Sequence, residues 1–153
     1  MHKRLVIDAS VAAKWFLKDE QGTPAADDLL LRLLADDLEL YAPEIFYYEL
    51  GALLARACAA TSRLSGRRRL EGVQARRCLT ELFRLPIHGV RPSEAESVRA
   101  LEMSISYSKS YYDMIYLQLA ETMGCPWCTA DAKILETHPK NFPANSVVLL
   151  SSL

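Results

Sequence analysis

The sequence has almost no net charge, few histidines and no long apolar run. Formal net charge is −1 over 153 residues and the isoelectric point is about 6.3, so bulk charge gives no sign of a polyanion binder. No apolar stretch approaches the roughly 18 residues a bilayer-spanning helix needs, which excludes a transmembrane helix. The Leu5-Val6-Ile7 run is ended by Asp8, too early for a secretory leader. The four cysteines, Cys58, Cys78, Cys125 and Cys128, show no secretory context, and a reduced, cytoplasmic setting is expected. His2, His88 and His138 are scattered, with no serine or cysteine nucleophile motif around them. They read as surface or strand-edge residues rather than catalytic ones. Internal repeats, low-complexity tracts and linkers are also missing.

What is present is the composition of an ordinary folded domain. Half of the residues are hydrophobic and 24% are charged, close to the average for globular proteins. A chain of this length buries roughly 70% of its unfolded surface, enough for a core without staples. Short apolar runs at Leu5–Ile7, Leu38–Tyr41, Pro86–Val90, Pro126–Thr129 and Val147–Leu150 predict strands. Helices are predicted from Val11 to Leu17, from Thr23-Pro24 to about Asp36-Asp37, and from Pro43 to about Ala60. A break at Leu64-Ser65-Gly66 precedes a basic helix to about Leu85. Three more are expected: Pro92 to about Ile105, Asp113 to Met123 with Gly124 as C-cap, and Ala132 to Glu136. Strands alternating with helices indicate one α/β domain over residues 1–153, with a mostly parallel sheet covered by helices.

Four acids fall at informative places. Asp8 follows the first strand and Asp131 follows the Trp127–Ala130 stretch, where ligands of open parallel sheets bind. Glu49 lies in the second turn of its helix, six residues past Pro43, and Asp113 opens another helix. All four can face one edge of the sheet. Such an oxygen-rich set suits Mg²⁺ or Mn²⁺, which activates water and orients a phosphodiester. Each acid also has a plainer reading: Asp8, Asp113 and Asp131 as helix caps, and Glu49 as a solvated helix residue.

The order of these segments resembles the PIN-domain family, above all the VapC-like toxins of toxin–antitoxin pairs, over nearly the whole chain. Leu5–Phe16 resembles the opening strand, first acid and helix, with Ser10 as the small hydroxyl residue two places on. Ala42–Leu50 resembles the second motif with Glu49. Tyr112–Glu121 resembles the third with Asp113, and Thr129-Ala130-Asp131 the fourth. Met114 departs from the pattern, standing where a smaller residue is common.

The resemblance implies a PIN-like three-layer α/β/α domain with a mostly parallel central sheet. It also implies a Mg²⁺- or Mn²⁺-dependent endoribonuclease that hydrolyses RNA through metal-activated water. Asp8, Glu49 and Asp113 would be the core metal ligands, with Asp131 completing the cluster directly or through water, and Ser10 and Thr129 in support. A homodimer and a cognate antitoxin partner are implied too.

Other features carry competing readings. Cys125-Pro126-Trp127-Cys128 is a C-x-x-C that could mark a disulfide oxidoreductase, although it falls on predicted strand rather than at a helix start. Arg56, Arg63, Arg67, Arg68, Arg69, Arg76, Arg77 and Arg84 concentrate in the middle of the chain. They are either a solvated helix surface or a phosphate-capturing one. Tyr47, Tyr48, Tyr107, Tyr111 and Tyr112 flank two of the acids, for base stacking, core packing or a dimer contact. A catalytically weak RNA-binding or assembly module of the same fold is the alternative to an enzyme.

Overall fold

The computed structural model describes residues 3–18, 21–59 and 69–153. The β-branched run at the start forms β1 (Arg4–Ile7), whose last three residues are buried. It is the middle strand of a five-stranded sheet in the order β3-β2-β1-β4-β5, with every neighbouring pair parallel. The other strands are β2 (Glu39–Pro43), β3 (Ile87–Val90), β4 (Trp127–Thr129) and β5 (Val147–Leu149).

Seven α-helices occupy the connections among the described residues: α1 (Ala9–Phe16), α2 (Thr23–Leu34), α3 (Ile45–Ala59), α4 (Gly72–Leu82), α5 (Glu94–Tyr107), α6 (Tyr111–Met123) and α7 (Lys133–Glu136). The first four serve β1→β2→β3, and α5–α6 carry the chain back across β1 to β4. Parallel crossovers are right-handed, so reversing direction puts the two groups of helices on opposite faces. The packing agrees: α1 meets α2 and α3, α3 meets α4, and α5 packs on α6, which lies over β1, β2 and β4. The result is a three-layer α/β/α fold with an all-parallel sheet. Leu5, Val6, Ile7, Leu40, Phe46, Leu117 and Trp127 are among its buried side chains.

Most expected elements are present, with a few differences. Pro43 does not open a helix. It ends β2 in register with Val90, and the Glu44 N–H donates to the Val90 carbonyl at 3.2 Å. A proline lacks a donor and is tolerated at a strand end, so α3 starts two residues later. The helix of the basic stretch that the structure describes starts at Gly72, where Glu71 takes the N-cap and the Gln74 side chain accepts its N–H at 2.9 Å. Arg69 is therefore outside the helix, and Arg63, Arg67, Arg68 and the Leu64–Gly66 break lie outside the described residues, as does His2. Ser93, not Pro92, caps α5 through a capping box with Glu96. Gly124 caps α6 in the left-handed conformation expected of it (φ 60°).

Candidate active site at the carboxyl edge of the sheet

Strand order reverses direction between β1 and β4, and the crevice at such a point is where open α/β sheets bind ligands. A cleft of about 580 Å³ opens there, lined by Asp8, Glu49, Asp113 and Asp131 together with Ser10, Thr129, Tyr116 and Trp127. The four acids singled out in the sequence thus come from four different elements to one cavity. Among the described residues three cations also line it: Arg56 of α3, Lys109 before α6, and Lys133 of α7.

Asp8 is buried and held from several sides. Its Oδ1 accepts the Ser10 N–H at 2.9 Å, the Ser10 hydroxyl at 2.5 Å and the Val11 N–H at 3.3 Å. Its Oδ2 accepts the Trp127 indole N–H at 3.2 Å. The capping role is therefore real, and it leaves the carboxylate facing the cleft as well. Ser10 Oγ in turn accepts the Ala130 N–H at 2.9 Å and lies 3.4 Å from the Thr129 hydroxyl. Thr129 Oγ1 accepts the Asp131 N–H at 3.1 Å, and Asp131 Oδ1 accepts the Lys133 N–H at 3.0 Å. Ser10 and Thr129 join the ends of β1 and β4 and fix the loop that carries Asp131.

Glu49 is half-buried rather than solvated, and the Tyr116 hydroxyl donates to its Oε2. Tyr116 stacks on Trp127, with ring centroids 5.8 Å apart. Asp113 is the third residue of α6, inside the first turn, where the helix dipole favours a negative charge.

Electrostatics register the crowding. Burial pushes the Asp8 carboxyl above its ordinary value, against the Ser10 hydrogen bonds and the nearby Thr129 hydroxyl dipole, which lower it. Burial also raises Glu49, with the charges of Asp8 and Asp113 adding to it. Asp113 is raised by burial and by Asp8 and Asp131, while Lys109 opposes. Like charges confined in a part-buried cleft produce this pattern, and a bound cation relieves it.

The C-x-x-C does not open a helix: Cys128 lies within β4 and Cys125 just before it. Burial raises the Cys125 thiol and pushes Cys128 up to about 12, whereas a reactive dithiol needs a depressed pKa. All four cysteines are free. None of the five tyrosines noted around the acids lines the cleft: Tyr47 stacks on Phe83 at 4.8 Å and Tyr107 meets Phe142 edge-on at 5.4 Å. His88 stacks on Tyr41 at the strand edge, and His138 lies against Phe142. The sequence reading missed Tyr116, Trp127, Lys109 and Lys133 as site residues. Tyr116 was accessible from its i+3 spacing to Asp113 on one helix. Trp127 gave no signal beyond that of a core aromatic.

The PIN domain family profile matches residues 5–138. No curated protein sequence matches the chain. Among solved structures, a toxin–antitoxin complex from Klebsiella pneumoniae is similar, with a TM-score of 0.63 and 14% identity over 97% of this chain and 99% of that one. VapC20 of Mycobacterium tuberculosis gives 0.60 and 15% over 88% and 99%. VapBC2 of Rickettsia felis gives 0.61 and 14% over 95% and 96%. At these identities the likeness is one of fold. The family match spans most of the chain, and the protein belongs to the PIN-domain family.

Proposed function

We propose that this chain is a Mg²⁺- or Mn²⁺-dependent endoribonuclease acting as the toxin of a type II toxin–antitoxin pair, with residues 1–153 as one PIN-like domain. The observation that carries this reading is the gathering of Asp8, Glu49, Asp113 and Asp131, from four separate elements, in one cleft at the point where strand order reverses. Those four acids are the proposed catalytic cation site, with Ser10 and Thr129 in support.

The donor set fits a hard divalent ion, being all oxygen. Among the described residues no three carboxylate, imidazole or thiol side chains already close around one point. Mg²⁺ is commonly held by one or two carboxylates and keeps several waters, so an open set of this kind suits it. When bound, the cation supplies positive charge for a phosphodiester and lowers the pKa of water.

The chain's own residues do the rest. Ser10, Val11 and Trp127 hold Asp8 in one orientation. Tyr116 holds Glu49, and the Ser10–Thr129 pair holds the Asp131 loop. Arg56, Lys109 and Lys133 offer the phosphate backbone a counter-charge that the acids alone would deny it.

The toxin assignment is supported by a structure of the same fold described as a toxin–antitoxin complex, and the choice of RNA by one described as a sarcin–ricin loop cleaving toxin. A protein antitoxin is accordingly the expected partner, in the cytoplasm. A homodimer is supported by the exposed stripe Val98, Leu101 and Ile105 along α5. No helix among the described residues is long and apolar enough to cross a membrane.

Purified protein incubated with cellular RNA and Mn²⁺ tests the reading. Discrete fragments are expected from the wild type, and none with EDTA or from Asp113→Asn. Equal cleavage by Asp113→Asn would sink the site assignment. Mn²⁺ binding without cleavage would favour the RNA-binding or assembly module.

A further inference from the structure

The hydrogen bonds around Asp8 divide its two oxygens unequally. Oδ1 receives three donors, the Ser10 N–H, the Ser10 hydroxyl and the Val11 N–H. A carboxylate oxygen offers about two lone-pair directions, so Oδ1 is saturated within the protein. Oδ2 receives one donor, the Trp127 indole N–H at 3.2 Å, which leaves it one lone-pair direction unused. That donor comes from β4, 119 residues away in sequence, and its buried ring stacks on Tyr116, whose hydroxyl holds Glu49. One buried indole therefore contacts one acid directly and a second through its neighbour.

We infer that Trp127 is a positioning residue of the cation site: its indole N–H aims Asp8 so that Oδ2 alone is presented to the ion, and its ring holds Tyr116 where it orients Glu49. The inference rests on the proposed cation-dependent function. It concerns a tryptophan in a strand segment that otherwise reads as core, and it assigns different tasks to the two oxygens of Asp8. Residues that orient metal ligands contribute to affinity without touching the ion, typically about 10–100-fold on removal.

Mn²⁺ affinity measured by calorimetry, in the absence of RNA, provides a readout independent of cleavage. Trp127→Phe keeps an aromatic ring but has no N–H. Replacement of Trp127 by benzothienylalanine keeps the bicyclic shape as well and loses only the donor. Both are expected to bind Mn²⁺ about 10-fold or more weakly than the wild type. The benzothienylalanine protein should do so with its melting temperature without metal little changed. A residue that merely fills the core would show the converse, a lower melting temperature for Trp127→Phe with unchanged Mn²⁺ affinity in both variants, and that result overturns the inference. Should Trp127→Phe fail to fold, the isosteric variant decides alone. If the wild type binds no Mn²⁺, the cation site and the inference fall together; if it binds and the two variants bind equally well, only the inference falls.

Discussion

Three of the four acids titrate abnormally high, and this has a consequence for stability that runs opposite to the common case. In the unfolded chain the aspartates take their ordinary value of 3.8 and the glutamate 4.5. In the folded, metal-free protein Asp8, Glu49 and Asp113 are all raised, chiefly by burial. Between the unfolded and folded values the native chain binds more protons than the unfolded one. The stability these groups contribute is therefore largest at low pH, falls as pH rises through that window, and is flat above it. A divalent cation needs the deprotonated acids, so its stabilisation has the reverse dependence. Scanning calorimetry should show Mn²⁺ raising the melting temperature more at about pH 7.5 than at about pH 4, close to the acids' ordinary values. Asp113→Asn should raise the melting temperature in EDTA while shrinking the Mn²⁺ response. Equal Mn²⁺ shifts at both pH values would contradict the assignment of these carboxylates to the ion.

At the scale of elements, α5 offers a control, because its cap is well formed and remote from the cleft lining. The Ser93 hydroxyl accepts the Glu96 N–H at 3.3 Å, and the Glu96 carboxylate accepts the Ser93 N–H at 2.7 Å. The Ser93 backbone and side-chain donors hold the Glu96 carboxyl below its ordinary range. Ser93→Ala is expected to cost about 1 kcal/mol in urea unfolding while leaving Mn²⁺ affinity and cleavage unchanged. A parallel loss of cleavage would mean that the α5–α6 pair couples to the site. The elements themselves were largely legible in the sequence. Leu5-Val6-Ile7 ended by Asp8, and Gly124 after an apolar helix, are local signals that tertiary structure does not override. Pro43 was misread because proline suits both a helix start and a strand end, and pairing with Val90 decided the matter. Register with a strand more than forty residues away is not a local property. The acids were legible for the same local reason, since each stands at a strand end or in the first turns of a helix. The contact between Trp127 and Asp8 was not, because it depends on β1 and β4 lying side by side.

For the whole molecule, a net charge of −1 hides a concentration of charge in one cleft, where four carboxylates and three cations among the described residues share the lining. A phosphate backbone entering it meets repulsion from the acids unless the cations and a divalent ion offset them. Lys109 is already committed, with Nζ donating to the Ile134 carbonyl at 3.0 Å and lying 5.9 Å from the centre of the Phe142 ring. Arg56 and Lys133 are exposed and so can follow a substrate. Arg76 and Arg77 are exposed on α4 but do not line the cleft. Salt dependence separates these groups, because each phosphate contact on a single strand contributes about −0.7 to the slope of log K against log salt. Binding of single-stranded RNA to the Asp113→Asn protein, with Mg²⁺ present, should weaken steadily with added salt. Adding Arg56→Ala should flatten the slope by about 0.7, whereas Arg77→Ala should leave it unchanged. The opposite pattern would place the RNA along α4 and not over the acids. A slope near zero for all of these proteins would remove the phosphate backbone from recognition altogether, and with it the reason for three cations to stand around four carboxylates.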